Sequence, residues 1–85
     1  MLYYDLSISK VQLKKGGCIY VAIRRVYNID PNTAKPYEQY GQDEIGRGHY
    51  STRDGIVDAE RKIHENRPYS QVEFKARNTD SVYES

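Results

Sequence analysis

From Leu6 through Ile29 the chain carries Lys10, Lys14, Lys15, Arg24 and Arg25 and no acid. Tyr20 and Tyr27 lie among these cations, and Tyr37 and Tyr40 follow closely. Basic residues interleaved with aromatic rings suit nucleic acid, because cations meet phosphates and rings receive unstacked bases. Gly46-Arg47-Gly48 adds a short glycine-flanked cation, the kind of backbone that forms an anion-binding nest. The candidate contact set is therefore Lys10, Lys14, Lys15, Tyr20, Arg24, Arg25, Tyr27, Tyr40 and Arg47. Set against it is a solvated sheet edge guarded by lysines, with tyrosines packing in the ordinary way. From Asp30 to Glu44 the charge reverses: Asp30, Glu38, Asp43 and Glu44 oppose only Lys35. That acidic run supports a different reading, a protein-binding inhibitor in which Glu38 to Glu44 imitate a polyanion and the tyrosines make the contact surface.

Catalytic chemistry has little to stand on. His49 and His64 are the only histidines. His64 falls near the apolar stripe of a helix, late enough to favour its negative end, which is a structural role. His49 sits beside Arg47 and Tyr50, a trio able to hold a phosphate and move a proton, yet spacing places no second acid–base group near it. The glycine loop lacks the Lys-Ser/Thr pair of a phosphate-binding loop. Asp43, Glu44, Asp54 and Asp58 match no calcium loop and no two-metal site. Cys18 stands alone, so it forms no intrachain disulfide and no zinc cluster, and it is expected in the core. No enzyme, metal or cofactor is expected.

The elements that must position these residues belong to one small domain. At 85 residues the core is thin, and Ile, Val and nine tyrosines carry most of its apolar content, a bias toward strands. No apolar run is long enough for a signal peptide or a membrane span, which predicts a cytoplasmic protein (host cytoplasm if viral). Net charge is only +1.

Leu2 to Ser9 alternates, with Leu2, Tyr4, Leu6 and Ile8 on one side, which predicts strand one. The apolar positions then change parity at Val11 and Leu13, suggesting a bulge near Lys10. Lys14-Lys15-Gly16-Gly17 is the turn into strand two, Cys18 to Asn28, apolar on both faces and so central. Asp30-Pro31-Asn32-Thr33 reads as the next turn. Strand three starts at Pro36 or Tyr37 and passes Tyr40, and residues 41–48 read as a loop or an irregular edge. A helix over 52–66 follows, capped by Ser51 or Thr52, with Ile56, Ala59 and Ile63 as its stripe, Val57 and Glu60 beside it, and Asn66 and Pro68 ending it. Tyr69 to Ala76 alternates as strand four, and residues 78–85 are expected to be a loose tail. The sum is an α+β domain over 1–77. It is a two-layer sandwich of order β-β-β-α-β, its antiparallel sheet covered on one face by the helix.

Tyr27 to Pro36, YNIDPNTAKP, followed by a strand and a helix opening Ser51-Thr52-Arg53, resembles the arm-site DNA-binding domains of phage integrases. Those modules set a hairpin with an Asp-Pro-x-Thr-Gly-Lys turn into a groove. Ala34 stands where their glycine would, and residues 42–50 are an insert. In size and tyrosine richness the chain also resembles the small accessory proteins that phages make against host defences. Together these readings imply a non-enzymatic module binding RNA or another single strand and blocking a host nuclease, toxin or defence system. A homodimer through strand edges is a further expectation.

Overall fold

The computed structural model describes residues 2–29, 32 and 36–84, apart from the side chains of Ile29 and residues 36–42. The expected turn at Asp30-Pro31-Asn32-Thr33 therefore lies, except for Asn32, outside the described residues, as does the Tyr40 side chain. The chain is a small α+β unit: β1 (Leu2–Gln12), β2 (Cys18–Ile29), β3 (Pro36–Ile45), α1 (Arg53–Glu65), β4 (Ala76–Asn78) and β5 (Val82–Tyr83). The strand order is β3-β2-β1-β4, with β5 farther along the free edge of β1. β2 is central, as its two apolar faces require.

β1 and β2 pair antiparallel without interruption from Leu2↔Asn28 to Gln12↔Cys18. The expected bulge near Lys10 does not occur, since Lys10 faces Tyr20 and Val11 faces Ile19 in continuous register. The parity change has another cause. Tyr4, Leu6 and Ile8 are buried on one face of the sheet, whereas Val11 and Val21 are buried on the other. Leu13 and Gly17 close the first turn, the Leu13 amide donating to the Gly17 carbonyl at 3.1 Å. β3 continues through Gly41 to Ile45, where a loop was the alternative, with a register shift opposite Val26 and Tyr27. The Tyr50 carbonyl then accepts from the Tyr20 amide at 3.2 Å, so the segment after β3 stays tied to the sheet.

α1 begins where expected. Thr52 is its N-cap, and its side chain accepts from the Gly55 amide at 3.2 Å. Its buried residues are Ile56, Val57, Glu60 and His64, while Ile63 is 37% exposed. The buried stripe is thus rotated from the expected one, and it carries a carboxylate at its centre. With Tyr4, Leu6, Ile8, Ala22, Val26 and Tyr69, Ile56 and Val57 make the core between helix and sheet.

The fourth strand is shorter and later than the sequence suggests. Residues 67–72 make turns, with Ser70 donating to Arg67 and Val72 to Tyr69. Val72, Phe74 and Ala76 do point inward by turns, but only Ala76–Asn78 pairs, and it pairs parallel to β1. The sheet is therefore mixed rather than antiparallel. The expected tail is ordered as well: Thr79 donates to Ile8, β5 pairs Val11–Gln12 in parallel, and Glu84 donates to Gln12. The exposed edge of β1 offers unpaired backbone groups, and the last residues of the chain take them. Among the described residues, no helix is long and apolar enough to cross a membrane.

Candidate functional site

The two faces of the sheet separate the sequence-selected residues into groups with different surroundings. Even-numbered positions of β1 and β2 face α1 and odd-numbered ones face away, because side chains alternate along a strand.

On the helix side, Arg24 enters a buried polar cluster. Its Nη1 donates to Glu60 Oε1 at 3.0 Å and its Nη2 to Asp43 Oδ2 at 2.6 Å. The Tyr4 hydroxyl donates to the same Glu60 oxygen at 3.0 Å. The Glu60 side chain is 1% exposed and that of Arg24 12%. Desolvation works to lower the Arg24 pKa, but the bonds and charges of Asp43 and Glu60 more than offset it, so the guanidinium is held charged. Burial, then the charge of Glu60, push the Tyr4 phenol far above its ordinary value. Burial is also the main reason that Tyr69 is raised. Beneath the last turns of α1, His64 stands edge-on to Tyr4 at 4.6 Å between ring centroids, and its Nε2 lies 2.8 Å from the Val72 carbonyl oxygen. His64 is therefore part of the packing, as its place in the helix implies. Tyr20 is half-buried on this face and packs against the core. Lys10, opposite it, is exposed.

On the far side, Tyr3 and Tyr27 are direct cross-strand partners whose rings stack 5.6 Å apart at 16°. The Arg25 guanidinium carbon lies 5.1 Å from the centroid of the Tyr27 ring. Asp5, directly opposite Arg25, accepts from Arg77 at 2.8 and 3.2 Å and from the Ser7 hydroxyl at 3.1 Å. The Arg77 bond is the largest cause holding the Asp5 carboxyl below its usual range. Farther along the face, Ser9, Val11, Val21 and Ile23 floor a groove of about 460 Å³ that Arg47, Val82, Tyr83 and Glu84 complete. This end of the second face is thus partly walled by the 46–49 turn and the C-terminal strand, and the single-layer cover expected from the sequence is only part of the arrangement. Lys14 and Lys15 are exposed at the β1–β2 turn, next to Glu84.

Of the selected residues, Arg25 and Tyr27 lie together on the far face, and Arg47 reaches that face at the groove. Lys14 and Lys15 mark its end. Arg24, Tyr20 and Lys10 belong to the other side. Tyr3, Asp5 and Arg77 were not singled out, although Tyr3 is readable once β1 and β2 are paired in register. Glu60 was also passed over; its signal is the i, i+4, i+8 line Ile56–Glu60–His64 on one helix face. His49 is exposed beside Tyr50, at 6.5 Å between ring centroids. Cys18 is half-buried at the start of β2.

Comparison of the chain with protein-family models, with curated proteins and with solved structures finds no match.

Proposed function

We propose that this chain is a non-enzymatic module that holds RNA or another single strand on the sheet face opposite the helix. The observation that carries the reading is the stacked Tyr3–Tyr27 pair with the Arg25 guanidinium against Tyr27. Rings of this kind accept a splayed base on an open edge, and the neighbouring cation meets the phosphate that follows. From Tyr27 to Val21 the face extends roughly 20 Å at the rise of a strand, space for a few nucleotides. Arg47 at the groove and Lys14 and Lys15 at the turn continue the cationic path. Arg24 is left to the fold. The biological setting that suits such a module is a phage-type accessory protein that blocks a host nuclease, toxin or defence system, a reading that rests on size and tyrosine content.

Fluorescence anisotropy with a labelled single-stranded RNA across a salt series tests the contact. Wild type should bind with a negative salt slope. Tyr27→Ala should weaken binding by about 1–3 kcal/mol, the usual worth of one base stack. Arg25→Ala should reduce the slope by about 0.7, one phosphate contact on a single strand. Absence of binding at low salt, or an unchanged slope in Arg25→Ala, would overturn the proposal.

A further inference from the structure

A second concave site lies on the helix side, away from the tyrosine face. Ile45, Gly46, His49, Tyr50, Ile56, Ala59, Glu60 and Ile63 line a surface pocket of about 290 Å³ between α1 and the turn that follows β3. Ile45, Ile56, Ala59 and Ile63 make its walls largely apolar, and Glu60, Tyr50 and the exposed His49 are the lining side chains with polar groups. Ile63, 37% exposed, forms part of the rim.

Glu60 is the unusual member. Its Oε1 accepts from both Tyr4 and Arg24, while its Oε2 is buried with no hydrogen-bond partner. A carboxylate oxygen out of water and without a donor is costly, so this position favours any donor that can reach it. The local charge points the same way. Arg24 stands between two carboxylates, Glu60 and Asp43, leaving one negative charge over the cluster. The residue that forms a wall of the pocket thus lacks a donor and belongs to an anionic group.

We propose that this pocket binds an alkyl cation, an ammonium or guanidinium on a short apolar stem. The stem packs against Ile45, Ile56, Ala59 and Ile63, and the N–H group donates to Glu60 Oε2 after a small displacement of the Ile63 side chain. Helix sterics hold χ1 of Ile63, but its exposed Cδ1 methyl can swing about χ2 at little cost. The same chemistry arises from a free alkylamine or alkylguanidine and from a Lys or Arg side chain of a partner protein. The inference does not depend on the nucleic-acid reading, since the two sites lie on opposite faces of the sheet.

The test is a titration of the isotope-labelled full chain with n-butylguanidinium at neutral pH and low ionic strength, followed by amide chemical shifts. Saturable shifts centred on Gly46, His49, Ala59 and Ile63 are expected. n-Butanol, with the same stem and no charge, should give none that saturate. Ala59→Leu fills the pocket from the helix without touching the ion cluster and should abolish saturation. Glu60→Gln should weaken binding by about tenfold or more. If that variant fails to fold, the butanol control and Ala59→Leu still decide. A capped Gly-Arg-Gly peptide separates the sources: tighter binding than butylguanidinium assigns the pocket to a partner's side chain, and equal or weaker binding to a free cation. Non-saturating shifts, equal shifts with butanol, or binding undiminished in Ala59→Leu would overturn the proposal and leave Oε2 to a water molecule.

Discussion

Replacing Arg24 by Met would show what that arginine does. Methionine keeps an unbranched apolar stem and removes the guanidinium. Glu60, 1% exposed, then retains the Tyr4 hydroxyl on Oε1 but loses its counter-charge and its second donor. Breaking a buried pair from one side costs about 3–5 kcal/mol, because the remaining charge has no compensation. A domain of this length has roughly 4–13 kcal/mol of total stability. The melting temperature should therefore fall by about 12–40 °C, at about 4–8 °C per kcal/mol for a chain of this size. Arg24→Met with Glu60→Leu should recover part of the loss, since an apolar pair replaces the charges while the buried Tyr4 hydroxyl is left without its acceptor. Thermal and urea unfolding followed by circular dichroism measure both variants. A loss under about 1 kcal/mol in the single variant would refute the reasoning, because Glu60 would then be hydrated and the pair no stronger than a surface one. The refolded double variant also separates fold from function: its RNA salt slope should equal that of wild type, whereas a slope reduced by about 0.7 would return Arg24 to the phosphate path.

Tyr4→Phe removes a donor from the same carboxylate and should cost about 1.5–3 kcal/mol, the range for a bond to a charged group. In wild type, ultraviolet titration should show a tyrosine component that ionises only as the protein unfolds in alkali, and Tyr4→Phe should lower that component by one tyrosine. Gly46→Ala should destabilise by about 1–3 kcal/mol in urea unfolding, since φ is +75° there and an added Cβ would overlap Ile56 Cδ1. Asp5 is held below its ordinary pKa chiefly by Arg77, so its contribution is present above about pH 4 and is lost as pH falls through the depressed value. Asp5→Asn should accordingly flatten the acid limb of a stability–pH curve between about pH 5 and pH 2, with little change below it.

Periodicity made the first two strands and the helix legible. Alternation in Leu2–Ser9 places Tyr4, Leu6 and Ile8 in the core, and the two apolar faces of Cys18–Asn28 place β2 centrally. Thr52 and Asn66 bound the helix because capping is local chemistry. What misleads is pairing. Tyr69–Ala76 alternates in burial, yet only its last residue enters the sheet, since alternation records which side is wet and says nothing of backbone partners. Residues 78–84 have no apolar pattern because hydrogen bonds to β1, from their backbone and from Thr79, order them rather than an apolar face of their own. The sequence pattern sets Glu60 beside the stripe because a carboxylate is seldom buried, and its burial depends on Arg24 and Tyr4, from other parts of the chain.

Arg24 and Arg25 show how far one position along a strand matters. They are neighbours in sequence and identical in chemistry, and pleating sends them to opposite layers. Arg24 meets two carboxylates and sits in the interior; Arg25 meets an aromatic ring on the far face, opposite Asp5. A cation count along the chain treats them alike, and so would any argument from net charge. The register of β1 against β2 distinguishes them, because Leu6↔Arg24 lies under the helix and Asp5↔Arg25 does not. The basic cluster of the sequence therefore divides: Arg24 neutralises Glu60 inside the fold and Asp43 at its surface, Lys10 is exposed on the helix side, and Arg25, with Arg47, Lys14 and Lys15, is the group from which a phosphate path can be drawn. A modest net charge and a locally cationic face are compatible for that reason: several of the acids balancing the total, Glu60 and Asp43 among them, are engaged on the other side of the sheet.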